Sequence, residues 1–257
     1  NIRLYDLPSL QKLLNITLLH NHGYKISKIS RFPSERIPEI VNEIITQKSV
    51  KSHAISAFKM AMMNFDQSLF FSTYDDLLSE KSFREIFFEV FIPLIHEIGS
   101  LWQTDTISAA HEHFISYLIK QKIIVNTEKL QTQEPTKNDS VFILYLPSNE
   151  IHELGLMYLN YEILMHGYKS IYLGESVPID CIKDVSHHFD KITFVCYMTV
   201  EPNIEEVNNY VSKLQSEFVN SDNNFWFIGR MTENIDPKLL GPKYQSFQSI
   251  LELTYNL

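Results

Sequence analysis

The stretch VFILYLPSNEIHELGLMYLN, from Val141 to Asn160, joins two kinds of sequence pattern. It opens with an apolar run that is typical of a buried strand, and a helical pattern begins near Glu153. Between the two stands His152, with Glu150 two residues before it and Gly155 three residues after it. A carboxylate beside an imidazole can hold the proton of one ring nitrogen and leave the other nitrogen free for a metal. The alternative is an ordinary exposed loop histidine.

Three later runs are also short, apolar and rich in β-branched or aromatic residues, as is typical of strands. A helical stretch or a turn follows each of them. They read KSIYLG, KITFVCYM and FWFIG. Short apolar runs that alternate with helices predict a parallel sheet covered on both faces, a doubly wound, Rossmann-like α/β domain over residues 139–257. Ligands of such domains bind at the carboxyl ends of the strands, and His152 lies on that edge.

Residues 48–130 have helical periodicity throughout. Four amphipathic or apolar segments joined by short turns predict a four-helix bundle, in which Pro93 kinks the third helix. The stretch QTQEPTKNDS, residues 131–140, is polar and without period, so we expect it to link the bundle to the α/β domain.

Composition restricts the classes of protein that need to be considered. The 257 residues are 44% hydrophobic and 21% charged, which is typical of a folded globular chain. Cys181 and Cys196 form no CxxC pair, which argues against a disulfide framework or a cysteine zinc site and favours a cytoplasmic protein. No apolar run approaches the roughly 20 residues of a membrane span, so we expect no membrane contact. Neither a GxSxG elbow nor a P-loop is present, and we expect no enzyme activity.

Charge is distributed unevenly along the chain. Residues 1–36 carry a net +4, whereas the whole chain carries −9 and the other 221 residues therefore carry −13. A basic N-terminal segment in an otherwise acidic chain indicates an N-terminus that faces a polyanion. A solvated helix face is the alternative explanation.

The run Glu150–x–His152–x–x–Gly155 resembles the DxHxxG signature of cobalamin-binding domains, with glutamate in the first place. The resemblance implies that His152 ligates the cobalt of cobalamin from below, in place of the cofactor's own base. LGESVP, residues 173–178, resembles the family's glycine-rich turn after the second strand. It implies that Gly174 lies beside the corrin.

Two further places correspond to the part of the family's site that takes the nucleotide tail. Tyr197 and Thr199 occupy positions where many members have S-x-L, and Gly229–Arg230 stands where they have a glycine pair. The resemblance implies that Tyr197, Thr199 and Gly229 contact the cofactor. Tyr197 either obstructs or reshapes the tail's passage, and Arg230 either displaces the tail or pairs with a phosphate.

A second signature lies upstream, where nine residues separate Trp102 from the pair Glu112–His113. This spacing resembles W-x9-EH in the helical cap of cobalamin-dependent photoreceptor regulators of the MerR type, the CarH and LitR family. There these residues cover the upper, adenosyl face, which implies adenosylcobalamin as the cofactor. Gln103 stands where light-sensing members carry a histidine, so the light response stays open.

Residues 1–47 resemble the second half of a MerR-type DNA-binding domain with its linker helix, and Arg3 and Tyr5 match wing positions that contact phosphates. The helix-turn-helix that precedes this half in the family is missing from the sequence. Phosphate contacts position a protein without specifying sequence. We therefore expect this chain alone to bind DNA poorly.

Together the resemblances predict a transcriptional regulator that binds cobalamin between the bundle and the α/β domain. Binding would control homo-oligomerisation and the DNA contacts of the full-length protein. Two alternatives stay open. One is a regulator whose module no longer binds cobalamin and acts in protein contacts or in sensing another ligand. The other is a corrinoid-carrying component of a methyltransferase.

Overall fold

A computed structural model describes residues 12–13, 15–17, 19–20, 24–33, 36–38, 40, 50–103 and 107–257 of the chain. It divides into two compact units, Asn1–Ile119 and Lys120–Leu257. The predicted DNA contacts Arg3 and Tyr5 lie outside the described residues.

The first unit is helical in the part that the structure describes. A short helix α1 is followed by longer helices and by one π-helical turn between α4 and α5. The bounds are α1 Ile26–Ile29, α2 Val50–Asn64, α3 Gln67–Glu80, α4 Phe83–Ile86, the π turn Phe87–Phe91, α5 Ile92–Gln103 and α6 Ala109–Gln131. The division between the two units falls within α6. All four segments predicted as helices between residues 48 and 130 are therefore helical.

Local sequence explains where these helices start. The Asp66 carboxylate accepts a hydrogen bond from the Leu69 N–H at 2.9 Å and so caps α3. Ser82 and Glu85 form a reciprocal capping box at the start of α4. A π-helical turn, Phe87–Phe91, directly precedes the helix that contains Pro93, where proline has no N–H to continue the regular ladder; the kink at Pro93 stays a prediction.

Buried aromatic rings fill the core of the helical unit. The ring centroid of Phe58 lies 4.9 Å from that of Phe70 and 5.7 Å from that of Phe91. All three side chains are fully buried. Tilted aromatic pairs at these distances add to the free energy of burying the rings.

The second unit contains a five-stranded parallel sheet, which confirms the predicted α/β class. Its strands lie in the order β2-β1-β3-β4-β5. The strands are β1 Lys137–Pro147, β2 Tyr168–Val177, β3 Ile192–Tyr197, β4 Asn224–Ile228 and β5 Tyr244–Phe247, and the helices are α7 Leu154–Met165, α8 Ile179–Ser186, α9 Val207–Glu217 and α10 Ile250–Thr254. From β1 the chain first adds β2 on one side and then crosses to add β3 on the other side, so the strand order reverses between β1 and β3. Ligands of such sheets bind where the carboxyl ends of these two strands diverge.

Three details differ from the sequence prediction. Strand β1 begins at Lys137, which pairs with Tyr168, so the predicted linker 131–140 is shorter than expected. Strand β2 continues through Gly174 to Val177, so the predicted turn at residues 173–178 is mostly strand. The edge strand β5 is an additional element, whose short YQSF run lacks the apolar texture of the other strands.

Within the helices that the structure describes, no segment has both the length and the apolar character needed to cross a membrane.

Candidate functional site

Glu150 is a buried carboxylate, 1% exposed, that ties two loops together. Its Oε1 accepts the backbone N–H groups of Ile151 and His152, both at 2.9 Å. Its Oε2 accepts three consecutive N–H groups from residues 199–201, at 3.0, 2.6 and 2.9 Å. Successive backbone N–H groups of this kind form an anion-binding concavity. The loop after β1 and the loop after β3 therefore share one anchor.

These hydrogen bonds keep Glu150 ionised. Burial is the largest influence on this carboxyl and would raise its pKa, but the N–H groups of Val200, Glu201 and His152 together lower the pKa from 4.5 to about 2. The side chain is therefore a carboxylate near neutral pH, and a carboxylate can only accept hydrogen bonds.

That carboxylate determines the tautomer of His152. The Nδ1 atom of His152 lies 2.6 Å from Glu150 Oε1, so Nδ1 carries the ring proton and the lone pair is on Nε2. The His152 side chain is 54% exposed, and Nε2 makes no hydrogen bond to any residue that the structure describes. The arrangement is that of a metal-binding imidazole oriented by a carboxylate.

Exposed apolar side chains stand on both loops that Glu150 joins. Ile151 is 63% exposed and Val200 is 43% exposed, although each donates its backbone N–H to the buried Glu150 carboxylate. Exposed apolar groups on these loops suit a ligand that presents a flat, largely apolar surface to the protein.

Gly155, in the first turn of α7, lies directly against the ring of Tyr197 at the end of β3. A Cβ atom added to Gly155 would come within 2.5 Å of both Cζ and Oη of Tyr197. Only glycine fits at this position while the ring stays in place. The sequence analysis thus predicted that Gly155 and Tyr197 lie at the carboxyl edge of the sheet, but it did not predict their contact.

The other predicted positions of this unit have backbone roles in the structure. Thr199 contributes its N–H to the Glu150 anchor. Gly229 has a φ of 109°, and a Cβ there would lie 2.3 Å from the carbonyl oxygen of Met198. Gly174 has a φ of 89° within β2, where a Cβ would meet only the Tyr172 ring, at 3.6 Å. Backbone conformation therefore favours glycine at both positions.

The predicted upper-face residues belong to the helical unit. Glu112 and His113 pair with each other at 2.7 Å between Oε2 and Nδ1, and the His113 side chain is 79% exposed. Glu112 Oε1 also accepts a hydrogen bond from Ser116 Oγ at 2.6 Å. The backbone of Trp102 belongs to α5, but its side chain lies outside the described side chains. The predicted grouping of these three residues stays a prediction.

Sequence reasoning overlooked a second carboxylate, Glu153, directly after the candidate ligand His152. Glu153 Oε1 pairs with the Lys120 ammonium, and Glu153 Oε2 accepts a hydrogen bond from the Tyr172 hydroxyl at 2.9 Å. Burial and then the charge of Glu153 raise the pKa of Tyr172. Neither partner is near Glu153 in sequence, so no local pattern could have indicated these contacts.

Another overlooked residue is His111, which precedes the predicted Glu112–His113 pair. Its ring stacks on Phe65 with centroids 4.7 Å apart, and its Nδ1 lies 2.8 Å from Ser108 Oγ. Its Nε2 is buried and has no partner among the described residues, and burial lowers the pKa of His111.

The donor set restricts the metal centre that His152 can serve. Over the described residues no group of three or more histidine, cysteine, aspartate or glutamate side chains is placed to hold a metal ion. His152 can therefore supply one nitrogen ligand to a metal that brings its other ligands with it. Among the described side chains this arrangement fits a metal held in a macrocycle and does not fit a zinc site built from those side chains.

Comparison with known proteins points in the same direction. The family model named B12 binding domain matches residues 54–125, in the helical part of the chain. The HTH-type transcriptional repressor CarH of Myxococcus xanthus is 22% identical over 181 residues, which cover 68% of this chain and 58% of that protein. The chain thus spans less than two thirds of the length of this curated relative.

A solved structure shares the architecture. The monomethylamine corrinoid protein of Methanosarcina barkeri superposes with a TM-score of 0.65 at 13% identity, covering 80% of this chain and 97% of that chain. A cobalamin-binding protein of Desulfitobacterium hafniense is 13% identical and covers 81% of this chain and 96% of its own, with a TM-score of 0.37. At 13% identity the first likeness shows a common fold, a helical segment followed by a parallel α/β domain.

Proposed function

We propose that this chain binds a corrinoid and that His152 is the protein ligand to its cobalt. The observation that carries the proposal is the Glu150–His152 pair, in which an ionised carboxylate orients an exposed imidazole with a free Nε2. When bound, the corrin would supply a cobalt ion together with nitrogen ligands of its own. One imidazole from the protein is then sufficient, which agrees with the single-histidine donor set.

Each nearby residue has a definite part in this proposal. Glu150 holds the proton on Nδ1 and so leaves Nε2 for the metal. Ile151 and Val200 would offer exposed apolar surface on the two loops to the bound group. The backbone N–H groups of residues 199–201 keep Glu150 ionised while its carboxylate orients the His152 imidazole. None of these steps requires the chain to be an enzyme.

We further propose that the chain is the sensor part of a transcriptional regulator. The similarity to the CarH repressor over 68% of the chain and the basic N-terminal 36 residues support this proposal. In it, adenosylcobalamin is the corrinoid, Trp102 and the Glu112–His113 pair contact its upper face, and binding changes the homo-oligomeric state and DNA affinity of the full-length protein.

A corrinoid-carrying methyltransferase component is the second candidate, since the corrinoid protein of Methanosarcina barkeri has the same fold. The two functions differ in a measurable way. A sensor changes its elution volume in size-exclusion chromatography when adenosylcobalamin binds in the dark, or when the complex is illuminated. A methyl carrier keeps its elution volume and instead accepts a methyl group from a partner enzyme.

Electron paramagnetic resonance of the cob(II)alamin complex tests the ligation directly. With protein labelled uniformly with ¹⁵N, an axial histidine nitrogen splits each cobalt line into a doublet, whereas the cofactor's own unlabelled base splits it into a triplet. We expect the doublet for the wild-type chain, its loss in His152→Ala, and its retention in His187→Ala, which removes an exposed imidazole of the same unit. A triplet in the wild type, or retention of neither cob(II)alamin nor cob(II)inamide, would refute the proposal.

A further inference from the structure

A side chain bridges the carboxyl end of β3 and the first turn of the helix that follows β1. Tyr197 is the last residue of β3, and its ring lies against the backbone of Gly155. The contact is tight, because an added Cβ on Gly155 would be 2.5 Å from the phenol carbon Cζ and from the phenol oxygen. This is the point at which a sheet of this strand order offers space to a ligand.

Packing rather than a polar anchor holds the ring. Within the described part of the chain the Tyr197 hydroxyl makes no hydrogen bond. Burial, with a smaller contribution from the charge of Glu150, raises the pKa of Tyr197 to about 12, so the phenol is neutral near pH 7. The ring is therefore an uncharged group that packing holds beside Gly155.

The end of the neighbouring strand β4 is also in tight backbone contact, which leaves no space there for a ligand group. Gly229, at the end of the neighbouring strand β4, packs against Met198, whose carbonyl oxygen would lie 2.3 Å from a Cβ at position 229. Met198 is hydrogen-bonded on both sides, to Ile228 at 2.7 Å and to Met231 at 3.1 Å. Because these are backbone contacts, a ligand group cannot enter there without moving the strand ends.

Corrinoids differ in the substituent that is available on the corrin face that His152 would ligate. A complete cobalamin carries a nucleotide tail, and the base at the end of this tail binds cobalt from that same face. If His152 replaces the base, the tail must be accommodated on the protein side, beside the imidazole. A cobinamide has the same corrin and cobalt but ends in a short aminopropanol arm, so it needs no such space.

We propose that Tyr197 is a specificity-determining residue that closes the β1–β3 crevice to a nucleotide tail, so that the site prefers corrinoids of the cobinamide class to complete cobalamins. This inference rests on the proposed corrinoid function. It concerns only the lower side of the ligand: an adenosyl group on the other face would then be carried best by a cobinamide, and complete adenosylcobalamin would bind more weakly.

Binding titrations of the full chain with two probes test the inference. Aquacobalamin and diaquacobinamide are titrated in the dark, and the Kd ratio of cobalamin to cobinamide is measured for wild type, Tyr197→Ala and the control Tyr244→Ala. The control removes a partly buried ring from β5, where it stacks on Phe225 away from β1 and β3. Displacing the cofactor's own base costs the same in every variant, so a change in the ratio reports on the crevice.

We expect a wild-type ratio of about 10 or more, equivalent to at least about 1.4 kcal/mol. Tyr197→Ala should lower the ratio by about 10-fold, and Tyr244→Ala should leave it as in the wild type. A wild-type ratio near one, or a ratio that Tyr197→Ala leaves unchanged, overturns the inference while the corrinoid function stands. If neither probe binds the wild type, both the inference and the proposed function fail. If Tyr197→Ala does not fold, a wild-type ratio near one still overturns the inference, because a closed crevice and the displacement of the cofactor's own base would both raise the ratio.

Discussion

His152 Nδ1 lies 2.6 Å from Glu150 Oε1, while the other oxygen of the same carboxylate accepts three backbone N–H groups from the loop after β3. One side chain therefore orients the candidate cobalt ligand and also joins two loops that are about fifty residues apart in sequence.

Replacing Glu150 by glutamine should weaken both functions. An amide has one acceptor oxygen, so its NH₂ group must face backbone N–H donors of one of the two loops. We expect a loss of roughly 3 kcal/mol in the free energy of unfolding. Corrinoid affinity should fall about 10- to 100-fold, because the imidazole loses its orienting carboxylate. Urea unfolding and corrinoid titration measure the two effects.

Glu205→Gln is the matched control for that variant, because Glu205 is an exposed glutamate in the same β3–α9 connection. It should change neither stability by more than about 0.5 kcal/mol nor corrinoid affinity. Equal stabilities of Glu150→Gln and Glu205→Gln would show that the buried carboxylate does not anchor the loops.

Acid should destabilise the wild type through Glu150. The folded state lowers the pKa of this carboxyl from 4.5 to about 2, so the folded protein binds fewer protons than the unfolded chain in this range. Its contribution to stability is therefore complete above pH 4.5 and is lost as the pH falls from 4.5 towards 2. The shift corresponds to on the order of 3 kcal/mol.

The pH dependence is best measured as a difference between two proteins. Urea unfolding of wild type and of Glu150→Gln at several pH values between 2 and 7 should give stability curves that converge as the pH falls. Curves that stay parallel through this range would mean that the Glu150 carboxyl has the same pKa in the folded and unfolded states.

Gly155→Ala should destabilise the apoprotein, because its Cβ would overlap the Tyr197 ring. Overpacking of this kind costs about 1–3 kcal/mol. Gly99→Ala is the matched control: Gly99 is also helical, and its Cβ would meet nothing within 4 Å. That substitution should stabilise the protein by about 0.5–1 kcal/mol through helix propensity.

The contact predicts non-additivity as well. In a Tyr197→Ala background the space beside Gly155 is empty, so adding Gly155→Ala should cost little or should stabilise α7. Thermal unfolding of the two single variants and the double variant gives the coupling free energy. If the two changes are additive, the ring does not lie against Gly155.

Gly229→Ala should be more harmful than a glycine substitution in open surroundings. Its φ is 109°, and its Cβ would lie 2.3 Å from a backbone oxygen that cannot move aside as a side chain can. We expect a loss of more than about 2 kcal/mol by urea unfolding. Gly241→Ala, where nothing lies within 4 Å of the new Cβ, should stay near wild-type stability, and a similar loss at both sites would refute this account.

The strands β1 to β4 could be predicted because each contains an apolar run, which is mostly buried in β1, β3 and β4 and partly buried in the edge strand β2. Strand β5 could not, because its sequence YQSF is short and polar and lies at the edge, where one side needs no apolar partner. The continuation of β2 past Gly174 was hidden for another reason. Gly174 and Ser176 both have positive φ. In a sequence, a glycine and a serine two residues apart indicate a turn rather than an irregular strand.

At the site, local spacing revealed the Glu150–His152 pair but not what lies around it. The three N–H donors to Glu150 come from residues 199–201, and the ring against Gly155 comes from residue 197. These contacts depend on β1 and β3 being neighbours in the sheet. A single sequence fixes the residue types at such positions without fixing the distances between them.

The carboxylate of Glu150 has a kinetic consequence. Its five backbone N–H bonds order the loops after β1 and β3 when the chain folds, so a ligand that reaches His152 does not have to order them again. For a tail-free corrinoid, the association rate should therefore rise in proportion to ligand concentration without levelling off, as for a preformed site in which encounter rather than rearrangement is rate-limiting.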